Sequence, residues 1–290
     1  MASLRFPTGE ALAVPPALVD VEGSVARLEQ QAITTALVAP WLELAGYGLS
    51  PSEGASWARF LNEHATGLSG DDGRLLPLAT VPLQDGDLAA EEVVVARDAG
   101  FVGLAIGTTA GERELDDPAL APFWDAVAES SMPLFLHPML DRENRRIGDD
   151  FALGLANSAG RIVDTTIAVS RLLFSGTLTA RPGLRILVAH GGASIPYILG
   201  RLRRTHEITP EVTADPLEGF RRLYFDSLLY DPDALRFLVE VVGPARVLLG
   251  SDYPFPNRDP EPRRIVAEVL GGGETERAVL GENAIELFEL

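Results

Sequence analysis

The sequence contains no cysteine, and although it carries 24 basic residues, none is lysine: every one is arginine. Without a thiol there is no thiolate nucleophile, no cysteine zinc site, no iron–sulfur cluster and no disulfide. Without an ε-amine there is no Schiff base, no pyridoxal phosphate anchor, no phosphate-loop lysine and no carbamylated lysine bridging two metals. Histidine is scarce as well, with four in 290 residues. Metal or acid–base chemistry therefore falls to His64, His137, His190, His206 and the carboxylates.

Long apolar runs are also lacking. No stretch approaches the roughly 18 uninterrupted apolar residues read as a membrane span. The first 23 residues are broken by Glu10, Pro15, Pro16 and Asp20 and do not read as a signal peptide. Together with the missing cysteine, this points to a cytoplasmic protein. Positive charge is in deficit: 42 acidic residues give a net charge of −18. Nucleic acid and anionic membranes, both polyanions, are thereby disfavoured as partners. A small anionic substrate is compatible with that charge, since a local arginine can oppose the global field.

What is present is an alternation. Short apolar, β-rich runs at 36–39, 76–81, 101–106, 134–137, 184–190, 223–226 and 247–252 are separated by amphipathic segments. Helices are expected from Ser24 to residue 30, at 52–64, from Asp87 to Gly100, from Asp117–Pro118, at 164–174 and 195–204, from Asp231–Pro232, at 262–270 and at 274–290. No linker or internal repeat interrupts the series. Seven strands with helices between them read as parallel βα units. The chain is therefore expected to be one α/β domain over 1–290, a (β/α)8 or TIM barrel. Residues 1–23 must supply an irregular or degenerate first strand.

In such barrels, side chains at the C-terminal strand ends converge on one mouth. Four polar residues stand at those ends: His137, His190, Asp226 and Asp252. Each closes an apolar run, and two of the four histidines are among them. His64 lies in a polar helical stretch and His206 at a charged helix end, where solvation or capping explains them. Arg201, Arg203 and Arg204 sit in a helix tail, where cations complement the dipole. Arg145, in the loop after His137, is a candidate for a substrate carboxylate. Trp41 and Phe255 could supply flat apolar walls.

These residues carry a resemblance. Pro133–His137–Pro138, the run from Ile186 through His190–Gly191–Gly192 to Arg201, Tyr224–Phe225–Asp226, and Leu248 through Ser251–Asp252–Tyr253–Pro254 to Pro256 resemble the amidohydrolase superfamily. The branch they resemble contains aminocarboxymuconate-semialdehyde decarboxylase and related aromatic-acid decarboxylases. The resemblance covers the chain from about Ser24 onward. It implies a barrel with a mononuclear metal, zinc or manganese, held by an H-x-H pair on the first strand, a His like His137 and an Asp like Asp252. A His like His190 then works as acid or base, and a carboxylate substrate loses CO2 without oxidation. Members are often dimers, so a homodimer is implied.

The chain departs from that pattern at its first strand, because no histidine precedes His64. Either Ala11–Leu12–Ala13–Val14 stands in the H-x-H place, or Asp20–Val21–Glu22–Gly23–Ser24 does, or the first strand lies outside this sequence. Each option leaves His137 and Asp252 as inherited ligands, and three or four are usual for zinc. A metal site and a metal-free one both remain open. The leading expectation is non-oxidative decarboxylation, or related acid–base chemistry, on a small unsaturated or aromatic carboxylic acid. Asp252 handles the proton, His190 orients the substrate, and His137 is a ligand or hydrogen-bonding partner. Alternatives are a metal-dependent hydrolase of a lactone or amide, and a metal-free relative acting as a binding protein, cyclase or isomerase.

Overall fold

The computed structural model describes residues 2–69, 73–139 and 154–290. It opens with an antiparallel hairpin, β1 (Ala2–Arg5) and β2 (Ala11–Val14), followed by α1 (Val21–Gln30) and β3 (Ala36–Val38). Then come α2 (Pro51–Ala65), β4 (Leu75–Pro77), α3 (Gly86–Asp98), β5 (Leu104–Ile106), a small hairpin β6 (Thr109–Ala110) and β7 (Arg113–Glu114), α4 (Ala121–Ser130) and β8 (Leu134–Leu136). The second half runs α5 (Arg161–Phe174), α6 (Thr177–Ala180), β9 (Ile186–Val188), α7 (Ile195–Ile208), α8 (Pro216–Phe220), β10 (Leu223–Asp226), α9 (Pro232–Val242) and β11 (Val247–Leu248). It ends in α10 (Pro262–Leu270), α11 (Glu274–Arg277) and α12 (Asn283–Phe288).

The barrel wall is a parallel ribbon. β5, β8, β9, β10 and β11 form one sheet in that order. β3 pairs with β4, and a bridge between Ala79 and Leu104 joins this pair to β5. All seven expected strands are therefore neighbours in sequence order, each parallel to the next, as βα units require. Their paired cores are shorter than the apolar runs: 247–252 yields only β11, because the Gly250 amide turns to donate to Ser227 Oγ (3.2 Å).

Alternate residues explain why these strands are apolar throughout. Leu104, Ile106, Leu134, Leu136, Ile186, Val188, Phe225 and Val247 pack with helix residues such as Phe123, Val169 and Leu235 in the larger core. Ala105, Phe135, Leu187, Tyr224 and Leu248 belong to a second cluster that fills the barrel, with Leu287 and Phe288 of α12.

Neither candidate for the first strand joins this wall. Ala11–Val14 forms β2, but it pairs antiparallel with β1 in a separate two-stranded sheet. That hairpin leans on α2, with the Phe6 and Trp57 rings 5.0 Å apart. Residues 20–24 are not a strand at all. Asp20 caps α1, its Oδ1 accepting from Gly23 N at 2.9 Å, so the helix starts a turn before the expected Ser24. Among the described residues no further strand pairs with β3 or β11. The ring closes instead through its helical layer. Arg27 and Gln31 donate to Pro260 O (3.1 and 2.6 Å), and Arg263 donates to Gln31 O and Ala32 O (3.1 and 3.2 Å).

Other helix starts also move by a turn or less. Asp85, not Asp87, caps α3, accepting from Asp87 N and Leu88 N. Asp231 caps α9 in the same way. α5 begins at Arg161, not 164, and a π-helical turn at Ala156–Gly160 leads into it.

Candidate active site

Four successive strands deliver the polar residues to one end of the barrel. His137 follows β8, its amide donating to Ile106 O at 3.0 Å. His190 stands two residues past β9, Asp226 ends β10, and Asp252 stands four residues past β11. Three of these converge: one ligand atom from each of His137, His190 and Asp252 lies within 4.8 Å of the other two. His137 Nε2 is 3.6 Å from Asp252 Oδ1, and the His137 and His190 ring centroids are 5.0 Å apart. Both His190 (φ +57°) and Asp252 (φ +55°) have left-handed backbones. Non-glycine residues adopt this conformation at a cost of roughly 1–2 kcal/mol each, typically where function aims a side chain.

His190 is buried, and no residue among those described gives its Nδ1 a hydrogen-bond partner. Burial, reinforced by the nearby His137 and Arg161, pushes its pKa down to about 3 against the opposing pull of Asp252. The imidazole is therefore neutral near pH 7, able to exchange a hydrogen bond or ligate but not to store a proton.

Asp226 does not join the cluster. Its carboxylate turns into the backbone and accepts from Gly191 N (2.9 Å) and Leu228 N (3.1 Å). Burial pushes its pKa up to about 6, with the amide hydrogen bonds pulling the other way. The Tyr230 hydroxyl is pushed up to about 12 by burial and by the Asp252, Asp226 and Asp259 carboxylates.

The remaining expected residues divide. Trp41, three residues past β3, and Phe255, three residues past Asp252, stand half-buried after the two edge strands of the wall. Arg145 lies outside the described residues. His64 bonds Phe60 O (2.8 Å) on α2, and His206 meets Thr213 Oγ1 (3.0 Å), both away from the cluster. A cavity of about 670 Å³ beside the β6–β7 hairpin, lined by Tyr47, Glu112, Asp116 and Arg171, touches none of the three clustered residues.

Sequence reasoning missed Arg161. Its guanidinium donates to Pro138 O (2.7 Å), Glu43 Oε1 (3.0 Å) and Asn157 Oδ1 (3.1 Å). It thus ties the segment after His137 to the segment after β3, close enough to His190 to depress its basicity. No local pattern marked it, because its partners are 4, 23 and 118 residues away in sequence.

The donor set suits a divalent cation. Two ligands bound at about 2.1 Å with a near-tetrahedral angle stand about 3.4 Å apart, close to the His137–Asp252 separation, and three protein donors is the count of catalytic zinc sites. His190, buried beside this pair, offers a ring nitrogen as the third donor within reach.

A parallel α/β barrel with a partly buried His–His–Asp cluster at its C-terminal mouth is an enzyme scaffold with its site where such barrels place chemistry. The amidohydrolase family model matches residues 51–290, and the chain belongs to that family. It is 30% identical to 2-amino-3-carboxymuconate-6-semialdehyde decarboxylase of Dictyostelium discoideum over 255 residues, 84% of this chain and 70% of that protein. It is 29% identical to gamma-resorcylate decarboxylase of Rhizobium radiobacter over 233 residues, 75% of this chain and 71% of that one. Among solved structures, 5-carboxyvanillate decarboxylase of Sphingomonas paucimobilis superposes with a TM-score of 0.82 at 26% identity, covering 92% of this chain and 82% of that chain.

Proposed function

We propose that the chain catalyses non-oxidative decarboxylation of a small aromatic or unsaturated carboxylic acid. The observation that carries this reading is the convergence of His137, His190 and Asp252 at the barrel mouth in a chain whose relatives are carboxy-lyases. The bond between the substrate carbon and its carboxylate breaks, CO2 departs, and a proton takes the carboxylate's place on that carbon. Asp252 carries the proton. Oδ1 faces His137, which leaves the second oxygen for the transfer. His190, held neutral, hydrogen-bonds and orients the substrate rather than protonating it. Trp41 and Phe255 flank the ring as apolar walls, and Arg145 is the partner proposed for the substrate carboxylate. A zinc or manganese ion held by His137 and Asp252, with His190 in reach, would supply Lewis-acid polarisation of a substrate oxygen.

The reading extends to a homodimer with a small carboxylate as its partner and to a cytoplasmic site of action. No helix among the described residues is long and apolar enough to cross a membrane. The test is release of CO2 from gamma-resorcylate, 5-carboxyvanillate and 6-methylsalicylate. Turnover of at least one is expected, falling about a hundredfold or more in Asp252→Asn and His190→Ala with far-UV circular dichroism unchanged. Full activity in both variants refutes the assignment. Hydrolysis of lactones or amides without CO2 release would replace it with the hydrolase reading.

A further inference from the structure

His190 does not aim itself. It opens four consecutive residues with positive φ: His190 (φ +57°), Gly191 (φ +61°), Gly192 (φ +75°) and Ala193 (φ +56°). Two turn hydrogen bonds span this run, Gly192 N to Ala189 O (3.1 Å) and Ala193 N to His190 O (2.9 Å), but neither takes the His190 or Gly191 amide, so those two amides need a partner from outside the turn. Successive amides in such turns form a concave nest that binds an anion. We propose that Asp226 is the positioning residue of this site: its carboxylate fills the nest and so fixes the direction in which the His190 imidazole points. The proposal rests on the decarboxylase reading only for its kinetic test.

The geometry is specific. Asp226 is 6% exposed. Its Oδ1 takes the Gly191 amide at 2.9 Å and the Leu228 amide at 3.1 Å, and the His190 amide lies close enough to favour the charged form of this carboxylate. The end of β10 and the residues just after it form a mould around the turn. A Cβ on Gly191 would meet Leu229 Cδ2 at 2.6 Å, and one on Gly192 would meet Phe225 Cδ1 at 2.5 Å. On its other side Asp226 is pressed by Gly250, where a Cβ would sit 2.8 Å from the Asp226 Cβ. One carboxylate is thus wedged between the turn bearing His190 and the strand end leading to Asp252. Packing alone would be served by an apolar side chain, because a desolvated carboxylate is costly unless amides compensate it. Here one compensating amide, that of Gly191, belongs to the His190 turn, and the other, that of Leu228, belongs to the segment just after β10. Asp226 touches neither His137 nor a position open to substrate, so it acts through His190.

The test compares Asp226→Asn and Asp226→Ala with Glu92→Gln. Glu92 is an equally buried carboxylate, bonded to Arg59 and Asn62 far from the turn. Asp226→Asn keeps an acceptor for Gly191 and Leu228 but replaces the other acceptor with a donor. With gamma-resorcylate as substrate, kcat should fall about tenfold in Asp226→Asn and about a hundredfold in Asp226→Ala, with KM within about twofold of wild type. Glu92→Gln should lower Tm comparably without changing kcat. The His190 Cε1–H resonance should move in the Asp226 variants and not in Glu92→Gln. Losses of kcat no larger than those of Glu92→Gln at equal loss of Tm, or a rise in KM alone, would overturn the proposal. If Asp226→Ala fails to fold, Asp226→Asn carries the comparison. If wild type turns over no aromatic acid, the decarboxylase reading fails separately and the resonance decides: unmoved in Asp226→Asn, it overturns the positioning role.

Discussion

His190→Gln removes an imidazole that burial holds neutral with a pKa near 3 while keeping a side chain of similar polarity. In the unfolded chain a histidine protonates near 6.5. Below that pH the unfolded state binds a proton that the native state refuses, so stability is lost as pH falls from about 6.5 towards 3. With those two values the loss between pH 8 and pH 5 comes to about 2 kcal/mol, and it grows to about 4 kcal/mol near pH 3. Asp226 acts in the opposite sense. Its pKa is raised to about 6, so the native state takes up a proton before the unfolded state does. That returns about 1 kcal/mol at pH 5. Wild type alone therefore shows little net slope from this pair, and the comparison with His190→Gln isolates the histidine. The assay is urea unfolding at pH 8 and pH 5, followed by fluorescence of the three tryptophans. Wild type should lose about 2 kcal/mol more than His190→Gln between the two pH values. Equal losses, within about 0.5 kcal/mol, would mean that His190 titrates freely in the native state. The orientation derived for it would then be wrong.

Two further outcomes follow from packing and from the donor set. Leu134 is fully buried in β8 between β5 and β9, so Leu134→Ala should cost about 3 kcal/mol in urea unfolding, and a cost below about 1 kcal/mol would contradict the packing described. Equilibrium dialysis against manganese followed by elemental analysis should find a single cation per chain in wild type and far less in His137→Ala and Asp252→Asn. Equal uptake by all three would remove His137 and Asp252 as ligands.

Much of the barrel was legible because its signals are local. A strand buried on both faces reads as an apolar run, and a helix start reads as Asp or Ser before an amphipathic stretch. Asp20, Asp85 and Asp231 obey that rule, and at α1 and α3 the cap lies within about a turn of the expected one because several polar residues stand close together there. His137, His190 and Asp252 were legible one step further, since a barrel sends every strand's C-terminal end to one mouth. The first strand stayed open among three readings because alternating small residues in 11–14 fit a hairpin as well as a barrel wall. Pairing with residues 2–5, only a short loop away, placed them outside it.

The sequence by itself determined the order of βα units, the chemistries excluded by the missing cysteine and lysine, and the candidates at each strand end. It did so because periodicity and composition are properties of neighbouring residues. Only the tertiary structure decided which candidates face one another. Asp226 closes an apolar run in the sequence as the others do, yet its carboxylate turns onto the Gly191 amide of a loop 35 residues earlier. Arg161 came to the site through partners as far as 118 residues away. Such meetings depend on how helices and strand ends pack in three dimensions, where a shift of one residue or a change in one φ redirects a side chain and no short-range pattern records the outcome.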